Sequence, residues 1–166
     1  ISNTVGNDAV GSMVYFKDGK PRKSEYRRFK IKSVEGPNDF AMMAEVVGRR
    51  YERLLKENKT MPDFILVDGG KGQLSSAMEA LEKLGIRNQP IAGLAKKFEE
   101  VYLPNHSEPQ TIPKDSSGLK LLQHIRDESH RFAITYHKKL RDAWISYSEL
   151  DGIAGIGKLR KSILLR

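Results

Sequence analysis

The amino-acid sequence predicts an α/β fold in which a mixed sheet is flanked by helices. Two short, almost wholly apolar runs, residues 64–67 and 91–95, are typical of strands that are covered on both faces. Helical patterns lie between and after these runs, and strand-like segments fill the first 33 residues. With 166 residues, the chain is long enough for one domain with a sizeable core and, at most, a fragment of a second.

The composition favours a polyanionic partner. Lysine and arginine number 29 against 21 aspartates and glutamates, which gives a formal net charge of +8. Nucleic acid is the usual partner of such a chain, although a basic surface with no such partner is the alternative. The absence of cysteine excludes disulfides and thiolate metal sites. No run approaches the ~20 apolar residues of a membrane span and no signal peptide is visible, so we expect a cytoplasmic protein without membrane contact.

The first third of the chain predicts three strands. Residues 9–16 and 23–32 form a hairpin around the turn at Asp18 and Gly19, a dipeptide that favours tight hairpin turns. Residues 1–6 are the end of another strand, which pairs beside this hairpin. In the return strand, basic residues alternate with aromatic and aliphatic ones, so one basic face is expected to be exposed.

Helices and buried strands then alternate. Asn38 or Asp39 caps a helix whose apolar stripe is Phe40, Met43, Val46, Val47, Tyr51, Leu54 and Leu55. A second helix, about residues 72–84, buries Leu74, Ala77, Met78, Leu81 and Leu84 and ends at Gly85. Residues 91–95 form a strand, and residues 100–103 and 110–112 suggest a small exposed hairpin. A long helix opens at residues 115–117, with Leu119, Leu122, Ile125, Ser129, Phe132, Ala133, Tyr136 and Leu140 on its packing stripe. This order of elements is the ribonuclease H-like arrangement.

The stretch Phe64-Ile65-Leu66-Val67-Asp68-Gly69-Gly70-Lys71-Gly72-Gln73 organises the chain. It places Asp68 at the C-terminal edge of a central strand, where α/β sheets present their reactive groups. Asp68 is well placed there to hold a cation, although it could instead cap the following helix. The glycine-rich segment lacks the Gly-Lys-Ser/Thr ending of a nucleotide-binding loop, so we reject that function. Lys71, near the start of a helix, could still contact a DNA phosphate.

The long helix carries three of the four histidines, His124, His130 and His137. His130 and His137 are two turns apart and share a face, and His130 lies at the margin of the packing stripe. Such a histidine is often only a packing residue. Zinc-protease and serine-nucleophile patterns are both missing. The remaining candidate is a site at Asp68 with Asp39 and His130 as companions, which suits Mg²⁺ or Mn²⁺ and predicts a metal-dependent nuclease.

Four segments, residues 1–4, 23–29, 67–73 and 125–133, closely resemble the C-terminal half of UvrC, the incision subunit of bacterial nucleotide excision repair. Together they span nearly all of the chain. The resemblance implies a ribonuclease H-like endonuclease domain, residues 1–146, that makes the 5′ cut near a lesion in double-stranded DNA. It also implies a divalent metal, and contact with the damage-loading partner UvrB through other parts of the full-length protein.

The resemblance also assigns roles to individual residues. The family's second catalytic aspartate falls on Asp68 and its histidine on His130, while Asp39 matches an acidic position linked to 5′ incision. The first catalytic aspartate would immediately precede Ile1, so we expect this chain to be weakly active or inactive. Asn3 stands where many members have histidine.

Several residues are candidates for contact with the DNA strand: Lys71, Arg27, Arg28, Arg126 and Arg131. Residues 147–166 resemble a linker and the first helix-hairpin-helix of the family, with Gly155, Gly157 and Lys158 gripping a phosphate. An ordinary connection between helices is the alternative for that segment. For the whole chain, a non-catalytic nucleic-acid-binding module of ribonuclease H-like fold is the second reading, and a basic scaffold for protein partners is the third. A steep salt dependence of binding would separate the first two from the scaffold.

Overall fold

The computed structural model describes residues 1–4, 10–34, 36, 38–96 and 99–146. The chain divides into two compact units, Ile1–Ala133 and Ile134–Arg166, and the site discussed below belongs to the first. The predicted helix-hairpin-helix, with Gly155, Gly157 and Lys158, lies outside the described residues, as does the side chain of His137. Within the described residues, no helix is long and apolar enough to cross a membrane.

The elements follow the predicted order. They are strands β1 (Ser2–Thr4), β2 (Val10–Met13), β3 (Phe16–Lys17), β4 (Lys20–Pro21) and β5 (Arg27–Lys30), helix α1 (Asp39–Lys56), strand β6 (Ile65–Asp68), helix α2 (Lys71–Lys83), strands β7 (Ile91–Ala95) and β8 (Glu100–Tyr102), and helix α3 (Ser117–Ser146). Asn38 caps α1, because its side-chain oxygen accepts a hydrogen bond from the backbone N–H of Ala41 at 3.0 Å. Gly85, with a positive φ, follows the end of α2 as predicted.

The sheet is mixed, which confirms the predicted α/β class. Strands β1, β2 and β5 are antiparallel in the order β1-β2-β5, while β6 runs parallel to β7 and β8 antiparallel to it. The backbone of Ile1 joins the two halves. Its N–H donates to the Leu66 carbonyl at 2.7 Å, and its carbonyl accepts from the N–H of Asp68 at 2.8 Å. The strands therefore lie in the order β5-β2-β1-β6-β7-β8, as expected of a ribonuclease H-like fold.

Helices cover both faces of this sheet because side chains alternate along β6. Ile65 and Val67 join a core cluster with α1 and α2, whereas Leu66 joins a second cluster with Leu119 of α3 and with β7 and β8. Asp68, two residues after Leu66, is thereby directed toward the α3 face. The face on which each helix packs decides which side chains can meet at the end of β6.

The predicted first hairpin is wrong in part. Strands β2 and β5 pair as expected, but β3 and β4 form a separate two-residue hairpin, with positive φ at Asp18 and Gly19. A 3-10 turn, Lys23–Glu25, then leads into β5. Pro21 has no N–H, so the ladder cannot continue through it.

The small exposed hairpin predicted at residues 100–112 is also corrected. Val101 of β8 is buried, and the strand extends the main sheet beside β7. Of the second predicted strand, only Gln110 forms a bridge, to Val101. The stripe of α1 differs as well, because Met42 is buried while Phe40 and Leu55 are exposed. An apolar residue in an exposed position costs little, so hydrophobicity alone did not separate these positions.

Candidate active site

Asp68 ends β6 at a turn that is fixed by backbone bonds on both sides. Its own N–H bonds the Ile1 carbonyl, and the N–H of Gly69 donates to the carbonyl of Leu94 at 3.1 Å. Gly69 has a φ of +152°, and the side chain of Gln73 occupies the space a Cβ would need there. Gly70 occupies the N-cap position of α2, and no side chain caps that helix. The alternative role of Asp68 as a helix cap is therefore wrong, and its carboxylate is available to other groups.

The carboxylate of Asp68 meets the imidazole of His130. Nε2 of His130 lies 2.5 Å from Oδ2 of Asp68, although the two residues are 62 positions apart in the chain. The side chain of His130 is 29% exposed and that of Asp68 is 17% exposed, so the pair is shielded but reachable from solvent. His130 lies at the margin of the α3 stripe, as predicted, and its ring makes a polar contact in addition to packing. The two side chains can share one proton across this contact, so the pair could pass a proton to or from a bound molecule.

Asp39 is the third predicted member of the site. It is exposed in the first turn of α1, where the neighbouring Phe40 ring lies against Gly72 of α2. Within the described residues, no group of three or more histidine, cysteine, aspartate and glutamate side chains could hold a metal ion. Asp39, Asp68 and His130 therefore do not form such a metal-holding group, and the role of Asp39 as a companion of the pair stays a prediction.

Two of the predicted DNA contacts are on α3, and both have partners within the protein. Arg126 is only 7% exposed and bonds Glu99 at 2.9 Å and Asp127 at 3.0 Å. Burial alone would lower the pKa of Arg126, but the hydrogen bonds to the two carboxylates outweigh it and raise the pKa. Arg131 binds both carboxylate oxygens of Glu128, at 2.6 and 2.7 Å. These contacts give both arginines a structural role.

The remaining predicted DNA contacts, Arg27, Arg28 and Lys71, differ in the contacts that their side chains make within the protein. The guanidinium of Arg27 donates to the carbonyls of Ser24 and Tyr26, and that of Arg28 lies over the Phe132 ring, 4.1 Å from its centroid. Lys71 is exposed as the first residue of α2, three positions after Asp68. In the part of the chain that the structure describes, no hydrogen bond or ion pair involves its side chain. Lys71 is therefore the candidate best placed to reach a phosphate near the pair.

Sequence reasoning did not find the residues that hold α3 beside the pair. Tyr26 donates its hydroxyl to Glu128 at 2.9 Å, and Ser12 bonds Ser129. Burial, followed by the hydrogen bond to Glu128, raises the pKa of Tyr26 to about 12. The hydrogen bonds from Arg131 hold the pKa of Glu128 below its usual range. The available signal was Ser129, a polar residue on an otherwise apolar stripe.

Comparisons with known proteins identify the family of this chain. The family model described as the UvrC RNAse H endonuclease domain matches residues 1–134. The chain is 54% identical to UvrABC system protein C of Methanosphaera stadtmanae, covering 99% of this chain and 29% of that protein. It is 50% identical to the protein of the same name from Dehalococcoides mccartyi (100% and 28%), and 52% identical to that of Porphyromonas gingivalis (99% and 28%). The chain thus spans less than a third of the length of these curated relatives.

Proposed function

Because this chain belongs to the UvrC ribonuclease H endonuclease domain family, we propose that it hydrolyses a phosphodiester bond of DNA at the sheet edge formed by Asp68 and His130. The observation that carries the proposal is the 2.5 Å contact between the two side chains. A module that only binds DNA has no need to bring a strand-end carboxylate to a helix imidazole.

The pair can move a proton during hydrolysis. Attack on a phosphodiester requires that a proton leave the incoming water and that another reach the departing oxygen. The proton shared by Oδ2 of Asp68 and Nε2 of His130 can be released in one direction and regained in the other. Partial burial keeps bulk water from competing for this proton, while the exposed part of the imidazole stays open to the substrate.

The donor atoms of the pair suit a divalent cation. A carboxylate oxygen is a ligand for Mg²⁺, and an imidazole nitrogen beside it extends the preference to Mn²⁺. Asp68 and His130 would hold the ion, and such a cation supplies a more acidic bound water and stabilises charge that develops on the phosphate. Two ligands are few, so we expect weak binding by this pair alone.

The position before Ile1 would complete the ligand set. Ile1 packs with Val67 in the cluster on the α1 and α2 face. Alternation along the strand directs the preceding side chain to the opposite face, the one that Asp68 and His130 share. The family resemblance expects the first catalytic aspartate at that position. An aspartate there would add a third ligand.

The biological setting is proposed from the family resemblance. The substrate is damaged double-stranded DNA, the cut is the 5′ incision of nucleotide excision repair in the cytoplasm, and UvrB engages other parts of the full-length protein. Lys71 holds a phosphate next to the pair, and Arg27 and Arg28 contact the strand farther away. Residues 147–166 are the start of the helix-hairpin-helix, with Gly155, Gly157 and Lys158 at a phosphate, and residues 1–146 form the endonuclease domain.

A nicking assay tests the assignment. The protein with one aspartate added before Ile1 is the parent, and Mn²⁺-dependent nicking of plasmid DNA is followed. Asp68→Asn and His130→Ala should each lower the rate by about 100-fold or more, since each removes a proton-transfer group or a metal ligand. Asp63→Asn is the control, because Asp63 is exposed just before the other end of β6. If Asp68→Asn and His130→Ala both nick as fast as the parent, the site is wrong and a non-catalytic DNA-binding module is left.

A further inference from the structure

Three consecutive residues of α3 reach three different strands of the sheet. Glu128 bonds Tyr26, which directly precedes β5. Ser129 bonds Ser12 of β2, with both its carbonyl and its hydroxyl 3.2 Å from the Ser12 hydroxyl. His130 meets Asp68 at the end of β6. In the strand order β5-β2-β1-β6, these contacts follow one another across the sheet.

Helix geometry explains this arrangement. Successive residues of an α-helix point about 100° apart, so a helix whose Ser129 faces the sheet presents Glu128 to one flank and His130 to the other. Ser12 and Ser129 are both buried, and their small side chains let the helix backbone approach the strand. A rotation of α3 about its axis would therefore change the Glu128 and His130 contacts together.

On the Glu128 flank, Tyr26 anchors α3 to the sheet, and Arg131 of the same helix orients the Glu128 carboxylate. The Glu128 carboxylate is only 11% exposed and accepts two hydrogen bonds from Arg131 in addition to the one from Tyr26. Charge-assisted bonds of this kind are among the strongest in proteins. The Tyr26 ring also packs edge-on against Phe132, one turn after Glu128, with the ring centroids 5.1 Å apart. Tyr26 therefore holds the same flank of α3 at two successive turns.

We propose that Glu128 is a positioning residue, which fixes the rotation of α3 through its bond to Tyr26, while Arg131 of the same helix orients its carboxylate, so that His130 faces Asp68. Glu128 touches neither Asp68 nor His130 in the described contacts and acts through the helix. The proposal rests on the proposed function only for its kinetic consequence. Its structural part, the setting of His130 against Asp68, can be measured without any nuclease activity.

The structural test uses the reactivity of His130 toward diethyl pyrocarbonate, measured by peptide mass spectrometry on the full chain. Glu128→Gln and Tyr26→Phe loosen the flank while keeping the size of each side chain. We expect the modification rate of His130 to rise at least threefold in Glu128→Gln and less in Tyr26→Phe, because its contact with Asp68 is broken part of the time. His106, which is exposed and lies outside α3, serves as the internal reference whose rate should not change.

A matched control separates positioning from general loss of stability. Glu57→Gln removes another Arg–Glu pair, that of Arg53 and Glu57 at the end of α1, with a 2.6 Å contact like that of Arg131 and Glu128. This variant should leave the His130 rate at that of the parent. An unchanged His130 rate in Glu128→Gln, or an equal rise in Glu57→Gln, would overturn the proposal.

The kinetic test uses the full chain with the added aspartate. Glu128→Gln should lower kcat for nicking about tenfold and leave KM for DNA within twofold, since the strand contacts are not altered. A parent that does not nick, or an Asp68→Asn variant that nicks as the parent does, refutes the proposed function instead. If Asp68→Asn is inactive while Glu128→Gln retains full kcat, only the positioning role is refuted.

Discussion

Gly93 of β7 lies directly against the carbonyl oxygen of Gly69, so that a Cβ added to Gly93 would be 2.6 Å from that oxygen. Gly93 lies in β7, and Gly69 lies in the turn that follows Asp68 at the end of the neighbouring parallel strand β6. Because the obstacle is backbone, it cannot rotate aside as a side chain can. The absence of a side chain at Gly93 thus permits the turn that follows Asp68 and presents its carboxylate.

Gly93→Ala should destabilise the protein by about 1–3 kcal/mol, the usual cost of forcing extra atoms into a packed site. Gly72→Ala is the matched comparison, with its added Cβ 2.4 Å from the Phe40 ring. That ring is 51% exposed and can swing into solvent, so Gly72→Ala should change stability by less than about 0.5 kcal/mol. Urea unfolding measures both variants. Equal losses would contradict the distinction between backbone and side-chain obstacles.

The contribution of Glu128 to stability should depend on pH. The pKa of this carboxyl is lowered in the folded protein, chiefly by Arg131, so its stabilising effect is present above the unfolded pKa, about 4.3. It is lost as the pH falls through the lowered folded value. The parent should exceed Glu128→Gln in unfolding free energy by about 1 kcal/mol at pH 7, a modest value because Arg131 is 56% exposed and screened by solvent.

Urea unfolding of the parent and of Glu128→Gln at pH 7, 5, 4 and 3 measures this difference in unfolding free energy. It should hold steady down to pH 5 and shrink toward pH 3. A difference that stays constant to pH 3 would show that ionised Glu128 is not the source of the stabilisation.

Lys71 should contribute one phosphate contact to DNA binding. Lys71→Gln is expected to weaken binding and to reduce the slope of log affinity against log salt by about 1, because one fewer counterion is released. Fluorescence anisotropy with a duplex at several salt concentrations measures the slope. Lys56→Gln is the control, since Lys56 lies at the C-terminal end of α1, paired with Glu52. The same change in slope for both variants would mean that only overall charge matters.

The sequence was sufficient for the parts of this fold that depend on local pattern. Residues 91–95 form a strand as predicted, because a short apolar run between proline and polar residues has few other options. The Gly69-Gly70 turn places Asp68 at a strand end, and Asn38 caps α1 as one of two predicted candidates. Membership of the family followed from four separated segments and is confirmed by the family model over residues 1–134.

Contacts between residues that are far apart in the sequence were harder to predict. Whether β8 pairs with β7 or with residues 110–112 depends on which neighbour buries Val101, and the sequence of the segment does not state this. Asp39 matches a family position, but the sequence did not show that it would lie exposed in the first turn of α1. Arg126 looked available because it is charged, but Glu99, 27 positions earlier, draws it into the interior. Each of these outcomes is decided by a partner far away in the chain.

The 62-residue gap between Asp68 and His130 has a consequence for synthesis on the ribosome. The acid and its turn leave the exit tunnel well before the imidazole does, so a nascent chain with its first strands folded carries only half of the pair. The contact between the two side chains can form only after α3 has emerged and packed on the sheet. A translation product that stops short of this helix would keep the acid at the end of β6 and lack its imidazole partner.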